Sequence, residues 1–371
     1  MEPKRVFIIC GEASGDLHAA NLVTQWRAQN NDFEFCAWGG NKLEALGVPI
    51  LKDIKTLSFM GFLEVIMNLR TILRNIKLCK QQITEFRADA VVLVDFPGFN
   101  LRIAKWAKAN HIKVIYYISP QIWAWKEGRV KKIKECVDHM FCILPFESEF
   151  YAKHGMLVHY EGHPLLDEIV NFRSQNRTPL QFDKPVLAIL PGSRMQEVKR
   201  KLPVMLAAAQ HFPEYQIVVA CSSQIDLEFF EKFQDESIAF IYHKTYDILN
   251  ISELALVTSG TATLETALFE VPQVVCYKSS NFSYQIAKRL IKVKYISLVN
   301  LIMNQALVCE LIQEECNESR MAFELNALKR GEMGREKVAS GYKALISALG
   351  NSGASKRIAS KMIETFYSGH Q

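Results

Sequence analysis

Short runs of consecutive apolar residues alternate with longer amphipathic segments along the chain. In the first half these runs occupy residues 6–10, 33–38, 90–94, 114–118 and 140–144. Runs of this length are typical of strands that are buried on both faces of a parallel sheet. Segments with helical spacing lie between them, as at residues 17–30 and 101–110. The alternation predicts an α/β fold with a parallel sheet and helical crossovers.

The same rhythm restarts after a polar stretch, Asn171 to Pro185, which we interpret as a linker. Further apolar runs follow at residues 186–190, 216–220, 238–242, 254–258 and 273–277. We therefore predict two Rossmann-like domains, residues 1–172 and 185–345, that bind ligands at the carboxyl ends of their strands. The last residues, 346–371, are predicted to form a helical tail that packs back on the first domain.

Composition narrows the class of protein. The 371 residues are 49% hydrophobic and 22% charged, which suits a globular chain of about two domains. The formal net charge of +5 fits an anionic substrate or membrane surface without requiring either. Nine cysteines without a CxxC or CxxH pair give no zinc signature and favour a reducing cytoplasm. We see no secretory signal, and no apolar run approaches the ~20 residues of a membrane span.

Two motifs follow strands of the first domain. In GEASGD, Gly11 would let the backbone approach a ligand at a helix N-terminus, which favours an anion or a hydroxyl-rich group. The alternative is a turn in which Ser14 or Asp16 caps the helix. In DFPGFN, Asp95 could act as a general base towards an acceptor hydroxyl, or it could cap the next helix. A third loop carries Trp123 and Trp125, which could stack on a sugar or fill a core.

Two further motifs follow strands of the second domain. In LPGSR, the backbone at Gly192 and Ser193 could hold a diphosphate, and Arg194 could compensate its charge. Glu197 could support Arg194 or be an ordinary first-turn carboxylate.

SGTATLE has the same layout. Its first three residues, Ser259, Gly260 and Thr261, would turn their amides towards a phosphate. Glu265 lies one helical turn further on, where a carboxylate could pair with two ribose hydroxyls. A glutamate on a helix is also typical of an ordinary surface position.

The segment from Leu57 to Lys80 combines apolar and basic side chains. It is either a core helix or a segment that docks on a membrane, with apolar groups in the bilayer edge and cations on anionic lipid. The candidates for docking are Phe59, Met60, Phe62, Ile66, Arg70, Arg74 and Lys77.

Nine motifs in order resemble one family. They are GEASGD, MGFLEV, DFPGFN, SPQIWAWKEGRVKKI, LPFE, EGHPL, LPGSR, SGTATLE and KVKYISLVNLI. From Gly11 to about Ile302 the chain is similar to lipid-A-disaccharide synthase. The resemblance implies the GT-B arrangement of two facing Rossmann-like domains. It also implies an inverting glycosyltransferase that moves 2,3-diacylglucosamine from UDP-2,3-diacylglucosamine to 2,3-diacylglucosamine 1-phosphate. The products would be the β-1′,6 lipid A disaccharide 1-phosphate and UDP.

The resemblance carries further expectations. It implies a cytoplasmic enzyme, peripheral on the anionic cytoplasmic face of the inner membrane of a Gram-negative bacterium. It implies no metal, no cofactor and no nucleic acid partner, and it leaves a homodimer as an option. The rival interpretations are another GT-B enzyme, such as a sugar epimerase, and a non-enzymatic nucleotide-binding or scaffold protein. The apolar and basic segment argues against the first, and Asp95 with Arg194 at strand ends argues against the second.

The resemblance also assigns residues to the two substrates. It places Gly192, Ser193, Arg194, Ser259, Gly260, Thr261 and Glu265 on the UDP side. It places Asp95 beside the acceptor, with Glu12, Ser14 and Asp16 near it, and it adds Asn300 and Gln305 to the substrate contacts. Many members have Asp where this chain has Gly98, so the base rests on Asp95 alone. Gln305 stands where many members have an arginine near the donor.

Overall fold

The chain forms two compact units. The computed structural model describes residues 2–57, 69–124, 127–222, 225–280, 284–285, 288–289 and 293–367. The first unit comprises Met1–Asp167 and Asn351–Gln371, and the second comprises Glu168–Gly350. The chain passes from the first unit to the second within a helix, Leu165–Ser174, so the first part of the polar stretch predicted as a linker is helical.

The first unit is built on a seven-stranded parallel sheet. Its strands are β1 (Lys4–Cys10), β2 (Phe33–Gly39), β3 (Ile50–Asp53), β4 (Ala90–Val94), β5 (Lys113–Tyr117), β6 (His139–Cys142) and β7 (His159–Tyr160). They are hydrogen-bonded in the order β3-β2-β1-β4-β5-β6-β7. The helices between Ala13 and Ser174 are α1 (Ala13–Gln29), α2 (Asn41–Glu44), α3 (Leu69–Phe86), α4 (Pro97–Ala109), α5 (Val130–Cys136), α6 (Glu147–Lys153) and α7 (Leu165–Ser174).

The continuous apolar strands are explained by a core on each face of this sheet. Along β1, Phe7 and Ile9 join one cluster of buried side chains, and Val6 and Ile8 join the other. Side chains alternate between the faces of a strand, so a strand that is covered on both sides must be apolar at every position. The five runs predicted in the first half are confirmed as β1, β2, β4, β5 and β6. The short strands β3 and β7 are additions.

The second unit is built on a six-stranded parallel sheet. Its strands are β8 (Val186–Leu190), β9 (Gln216–Cys221), β10 (Ile238–Tyr242), β11 (Ser252–Thr258), β12 (Gln273–Tyr277) and β13 (Cys309–Ile312), in the order β10-β9-β8-β11-β12-β13. The later helices are α8 (Met195–Ala209), α9 (Leu227–Glu231), α10 (Thr245–Ile251), α11 (Thr261–Leu268), α12 (Leu298–Met303), α13 (Glu318–Asn326), α14 (Met333–Leu349) and α15 (Ala354–Tyr367). All five predicted strands are confirmed, and β13 is an addition.

The last helix, α15, belongs to the first unit and packs against α1. Ile358, Ala359 and Met362 are fully buried in the same apolar cluster as Trp26 of α1. The ring of Phe366 meets the indole of Trp26 edge-on at 5.9 Å between centroids.

The strand order brings the predicted motifs together in pairs. In the first sheet β1 and β4 are neighbours, with Cys10 paired to Val94, so GEASGD and DFPGFN leave adjacent strand ends. In the second sheet β8 and β11 are neighbours, with Leu190 paired to Val257, so LPGSR and SGTATLE do the same. Both pairs mark the point where the strand order reverses, which is where open α/β sheets bind ligands.

Candidate active site

Asp95 stands at the end of β4 in a strained backbone conformation. Asp95 and Phe96 both have φ of +47°, in the left-handed region, which costs a non-glycine residue about 1–3 kcal/mol. Three hydrogen bonds hold the backbone of Asp95. Its N–H donates to the Tyr117 carbonyl (3.0 Å), and its carbonyl accepts from the Tyr116 hydroxyl (2.6 Å) and from Nδ2 of Asn100 (2.8 Å). The fold therefore fixes the backbone from which this carboxylate projects.

The environment of Asp95 tunes its proton affinity. Burial, and to a lesser extent the neighbouring carboxylate of Glu12, raises the pKa of the carboxyl to about 7, although the hydrogen bond from the Phe96 amide opposes this change. A group with a pKa near neutrality can accept and release a proton at the operating pH of a cell. Helix α4 begins at Pro97 with Phe96 at its N-cap, so the alternative prediction that Asp95 caps this helix is wrong.

Gly11 lies against the Asp95 loop. A Cβ added to Gly11 would come within 2.3 Å of Cγ of Phe96. That space is filled by the Phe96 ring, which stacks on Phe99 at 5.4 Å between centroids. The glycine is therefore needed for the ends of β1 and β4 to fit together, so its absent side chain makes room for Phe96 rather than for a ligand.

The other polar residues of GEASGD divide into two groups. Helix α1 begins with Glu12 at its N-cap, so the prediction that Ser14 or Asp16 caps it is wrong. The buried carboxylate of Asp16 instead accepts hydrogen bonds from the amides of Gly40 (2.7 Å) and Lys42 (2.9 Å) and thereby caps α2. Asp16 is structural in this arrangement. Glu12 is half-buried and near enough to Asp95 to affect its pKa, and Ser14 is exposed.

Glu147 is a second carboxylate of the first unit whose pKa burial raises to about 7. It is only 1% exposed, and it accepts hydrogen bonds from the Leu144 amide (3.0 Å) and from the indole of Trp123 (3.1 Å). Trp123 is thus fixed by Glu147, while Trp125 lies outside the described residues. Sequence reasoning assigned Glu147 no role, although its place in LPFE just after β6 was a usable signal.

In the second unit, the loops after β8 and β11 touch. Gly192 and Gly260 have φ of +107° and +146°, conformations that side chains rarely adopt. A Cβ on Gly192 would lie 3.3 Å from Cγ2 of Thr258. The Thr258 hydroxyl donates to the carbonyl of Pro191 (2.8 Å), which ties the end of β11 to the LPGSR loop.

The SGT turn leads directly into α11. Gly260 and Thr261 are exposed at the amino end of this helix, where the helix dipole favours an anion. The hydroxyl of Ser259 donates to the carbonyl of Ile296 (2.9 Å). The Ser259 side chain therefore supports the turn, and its exposed neighbours are the ones available to a ligand.

Arg194 precedes α8 as its N-cap residue, next to the exposed Ser193. Its Nη1 lies 3.1 Å from Oε1 of Glu197, and the arginine side chain is 51% exposed. Of the two interpretations of Glu197, the structure supports the one in which it pairs with Arg194. The guanidinium is thereby anchored beside the glycine turn.

Glu265 is held by a tyrosine. The hydroxyl of Tyr246 donates to Oε1 of Glu265 (3.0 Å), and the carboxylate is half-buried. Burial raises the pKa of Glu265 and the nearby Glu168 adds to the effect, while the Tyr246 hydrogen bond opposes it. Glu265 is therefore an oriented carboxylate, unlike a mobile surface glutamate.

The prediction that Asn300 contacts the substrate is wrong, because other parts of the protein occupy its side chain. It is 1% exposed; its Oδ1 accepts from the amides of Leu307 (2.8 Å) and Val308 (2.9 Å), and its Nδ2 donates to the Val308 carbonyl and to Glu310. Those four bonds use the whole hydrogen-bonding capacity of the amide. The Asn300 side chain therefore has a structural role and has no hydrogen-bonding group left for a substrate. The exposed Gln305 follows the end of α12 nearby.

Part of the apolar and basic segment from Leu57 to Lys80 lies in helix α3, which contributes side chains to the core. Helix α3 buries Ile76, Cys79 and Ile83. Its cations Arg70, Arg74 and Lys77 are exposed. Phe59, Met60, Phe62 and Ile66 lie outside the described residues.

The described residues offer neither a metal cluster nor a membrane-spanning helix. Within the described ranges, no group of three or more His, Cys, Asp or Glu side chains is placed to hold a metal ion. No helix in the described part of the chain is both long and apolar enough to cross a bilayer.

Comparison with known proteins gives a consistent result. The model of the lipid-A-disaccharide synthetase family matches residues 6–362. The lipid-A-disaccharide synthase of Myxococcus xanthus is 39% identical over 375 residues, covering 98% of this chain and 97% of the relative. That of Trichlorobacter lovleyi is 38% identical over 368 residues, covering 96% of each.

Solved structures support the fold. The UDP-GlcNAc 2-epimerase from Neisseria meningitidis bound to UDP-GlcNAc has a TM-score of 0.66 and 13% identity, covering 97% of this chain and 100% of that one. The calicheamicin glycosyltransferase CalG4 has a TM-score of 0.64 and 13% identity, covering 100% of both chains. These neighbours have the GT-B fold of glycosyltransferases and epimerases.

The family match over nearly the whole chain agrees with the paired strand-end motifs. The GT-B class predicted from the motifs is confirmed, and so is the predicted enzyme class. The chain belongs to the lipid-A-disaccharide synthetase family and is a disaccharide-forming glycosyltransferase.

Proposed function

We propose that the enzyme joins UDP-2,3-diacylglucosamine to 2,3-diacylglucosamine 1-phosphate with inversion at the donor carbon. The acceptor 6-hydroxyl oxygen bonds to the anomeric carbon while the bond from that carbon to the diphosphate oxygen breaks. The electron pair leaves with UDP, and the hydroxyl proton passes to a carboxylate. The product is the β-1′,6 disaccharide 1-phosphate.

Asp95 is our candidate for the carboxylate that takes the proton, and its geometry is the observation that carries the proposal. Its backbone is held at φ +47° by three hydrogen bonds, at the end of a central strand. Burial and the carboxylate of Glu12 raise its pKa to about 7, so it is a stronger base than an ordinary aspartate. Strain of this kind is frequent at active sites.

The second unit supplies the candidates for the donor site. Arg194 would compensate charge on the leaving diphosphate, together with the exposed amino end of α11 at Gly260 and Thr261. Glu265, oriented by Tyr246, would accept hydrogen bonds from two ribose hydroxyls. The fold neighbour that was solved with UDP-GlcNAc supports the proposal that the donor of this enzyme is a uridine diphosphate sugar.

Access to lipid substrates is a separate part of the proposal. Diacylated sugars partition into a bilayer, so the enzyme must meet the membrane surface on the cytoplasmic side. The exposed cations Arg70, Arg74 and Lys77 of α3 suit an anionic lipid surface.

The test is release of UDP from UDP-2,3-diacylglucosamine, measured with and without 2,3-diacylglucosamine 1-phosphate. We expect UDP and disaccharide to form in equal amounts, and only when both substrates are present. Replacing the acceptor with one that lacks the 6-hydroxyl should abolish both. UDP release at the same rate without acceptor would contradict the proposal.

A further inference from the structure

Helix α8, which follows the LPGSR loop, contains a buried lysine to which the sequence analysis gave no role. Lys201 of α8 is only 1% exposed. Its Nζ lies 3.3 Å from Oε2 of Glu197, while Oε1 of the same carboxylate lies 3.1 Å from Nη1 of Arg194. Glu197 therefore bridges an exposed cation and a buried one.

Helix geometry builds this triad. Arg194, Glu197 and Lys201 are spaced three and four residues apart, so they lie along one face of the start of α8. The Glu197 carboxylate also lies beside the glycine turn, because a Cβ on Gly192 would be 3.5 Å from its Oε2. The charges of the triad are thus concentrated at the strand end where the donor phosphates are proposed to bind.

A buried ammonium group is costly unless it is paired. Burial lowers the pKa of Lys201, and the adjacent Glu197 carboxylate opposes that change. An apolar residue would fill the same space without this cost. The lysine therefore calls for an explanation beyond packing, and its charge offers one.

We infer that Lys201 is a positioning residue of the donor site, whose ammonium group neutralises Glu197 so that Arg194 keeps its positive charge for the donor diphosphate. The inference rests on the proposed function. Two cations and one carboxylate leave one net positive charge in the triad. Without Lys201, Arg194 and Glu197 would form a neutral pair, and the carboxylate would repel the phosphates.

The experiment compares a ligand with phosphates to one without them. Calorimetric titration with UDP and with uridine is carried out on the parent, on Lys201→Met and on Lys199→Met. Lys199 is an exposed lysine of the same helix and serves as the matched control. We expect Lys201→Met to weaken UDP binding about tenfold, in the range of a lost charge-assisted contact, and to leave uridine binding unchanged. Lys199→Met should change neither affinity by more than about twofold.

A second variant separates charge from structure. In the double variant Glu197→Gln with Lys201→Met, Arg194 no longer shares its charge with a carboxylate, so UDP affinity should return to within about threefold of the parent. If Lys201→Met does not fold, Lys201→Gln replaces it in the single and the double variant, with the same loss and the same recovery expected.

Several results would overturn the inference. They are unchanged UDP affinity in Lys201→Met, an equal loss for UDP and uridine, and a double variant that remains about tenfold weak. A parent protein that binds UDP no better than uridine would instead overturn the proposed donor site itself.

Discussion

In both units the candidate site residues follow the ends of two neighbouring central strands, but the charged groups at these ends differ in sign and in exposure. In the first unit a carboxylate, Asp95, is strained and shielded, and burial raises its pKa to about 7. In the second unit the guanidinium of Arg194 is 51% exposed, and Gly192 and Gly260 adopt turn conformations that a side chain would strain. Shielding suits a group that must change protonation state, and exposure suits a group that must hold an anion.

This contrast separates the expected effects of substitution. Changes at the end of β4 should affect the proton transfer and leave nucleotide binding intact. Changes at the ends of β8 and β11 should affect the nucleotide and its departure. Each of the following experiments asks whether one unit can be altered without the other.

The largest effect among these is expected for Arg194→Ala. Loss of a charge that stabilises a leaving group costs about 2–4 kcal/mol, so turnover should fall by about two to three orders of magnitude. The exposed position of Arg194 predicts an unchanged fold, which circular dichroism checks. Near-normal steady-state turnover in the folded variant would exclude this role.

The next effect concerns the membrane and belongs to the first unit. Reversing the charges of Arg70, Arg74 and Lys77 should weaken binding to anionic vesicles at least about 100-fold at low salt, since each lost cation contributes about 1 kcal/mol. Higher salt should reduce the difference in vesicle affinity between the variant and the parent, and the affinity for UDP should not change. Vesicle co-sedimentation at two salt concentrations measures this.

The control for that variant is an equal charge reversal in the second unit. Lys232, Lys337 and Lys343 are exposed there and supply the same change in net charge. If both triple variants lose vesicle binding equally, only net charge matters. If the α3 variant pellets with vesicles as the parent does, α3 is not the contact.

Glu265→Gln should have a smaller effect, confined to the second unit. Glutamine keeps the size of the side chain but weakens the hydrogen bonds to two ribose hydroxyls, so UDP affinity should fall about tenfold. Titration with UDP and with its 2′-deoxy analogue provides the measurement. Equal losses for both nucleotides would argue against contact with the 2′-hydroxyl.

The smallest effect is on stability. The folded-state pKa of Asp95, about 7, lies above its ordinary value of 3.8, so the folded state binds this proton more tightly than the unfolded state. The contribution of Asp95 to stability is full below about pH 4 and is lost as pH rises towards 7. Asp95→Asn should therefore raise the melting temperature by a few degrees at about pH 8, with less gain at about pH 5.

Glu147→Gln is the matched comparison for that prediction. Burial raises the pKa of Glu147 to a similar value, but its carboxylate accepts hydrogen bonds from an amide and from Trp123. The substitution disrupts these bonds, so it should destabilise the protein at both pH values. If Asp95→Asn destabilises the protein in the same way, Asp95 is structural as well.

The sequence was informative where a local pattern decides the structure. Continuous apolar runs predicted ten strands because both faces of each sheet are covered. The short strands β3, β7 and β13 were missed because they are short and mixed in polarity. The motifs after β1, β4, β8 and β11 could be placed at strand ends, because a glycine, a proline or a polar residue directly follows each apolar run.

The details of the site depend on contacts between distant residues. The strain at Asp95 is fixed by Tyr116, 21 residues away, and no local pattern predicts it. Asp16 and Asn300 lie in suggestive motifs, yet backbone amides from other loops occupy their side chains. Lys201 was missed because its burial and its pairing with Glu197 depend on how the helix packs, whereas Glu147 could have been noticed from its place in LPFE just after β6.

The most direct test of the account is the pH dependence of kcat/KM in the parent, in Asp95→Asn and in Glu147→Gln. We predict that the parent rises with pH through a midpoint near 7, since Asp95 must be deprotonated to accept the proton. Glu147→Gln should keep that midpoint. Asp95→Asn should lose about 10²–10⁴-fold and show no titration there, while binding UDP as the parent does. An Asp95→Asn enzyme that retains the parent's rate, or the same midpoint, would contradict the assignment of Asp95 as the base.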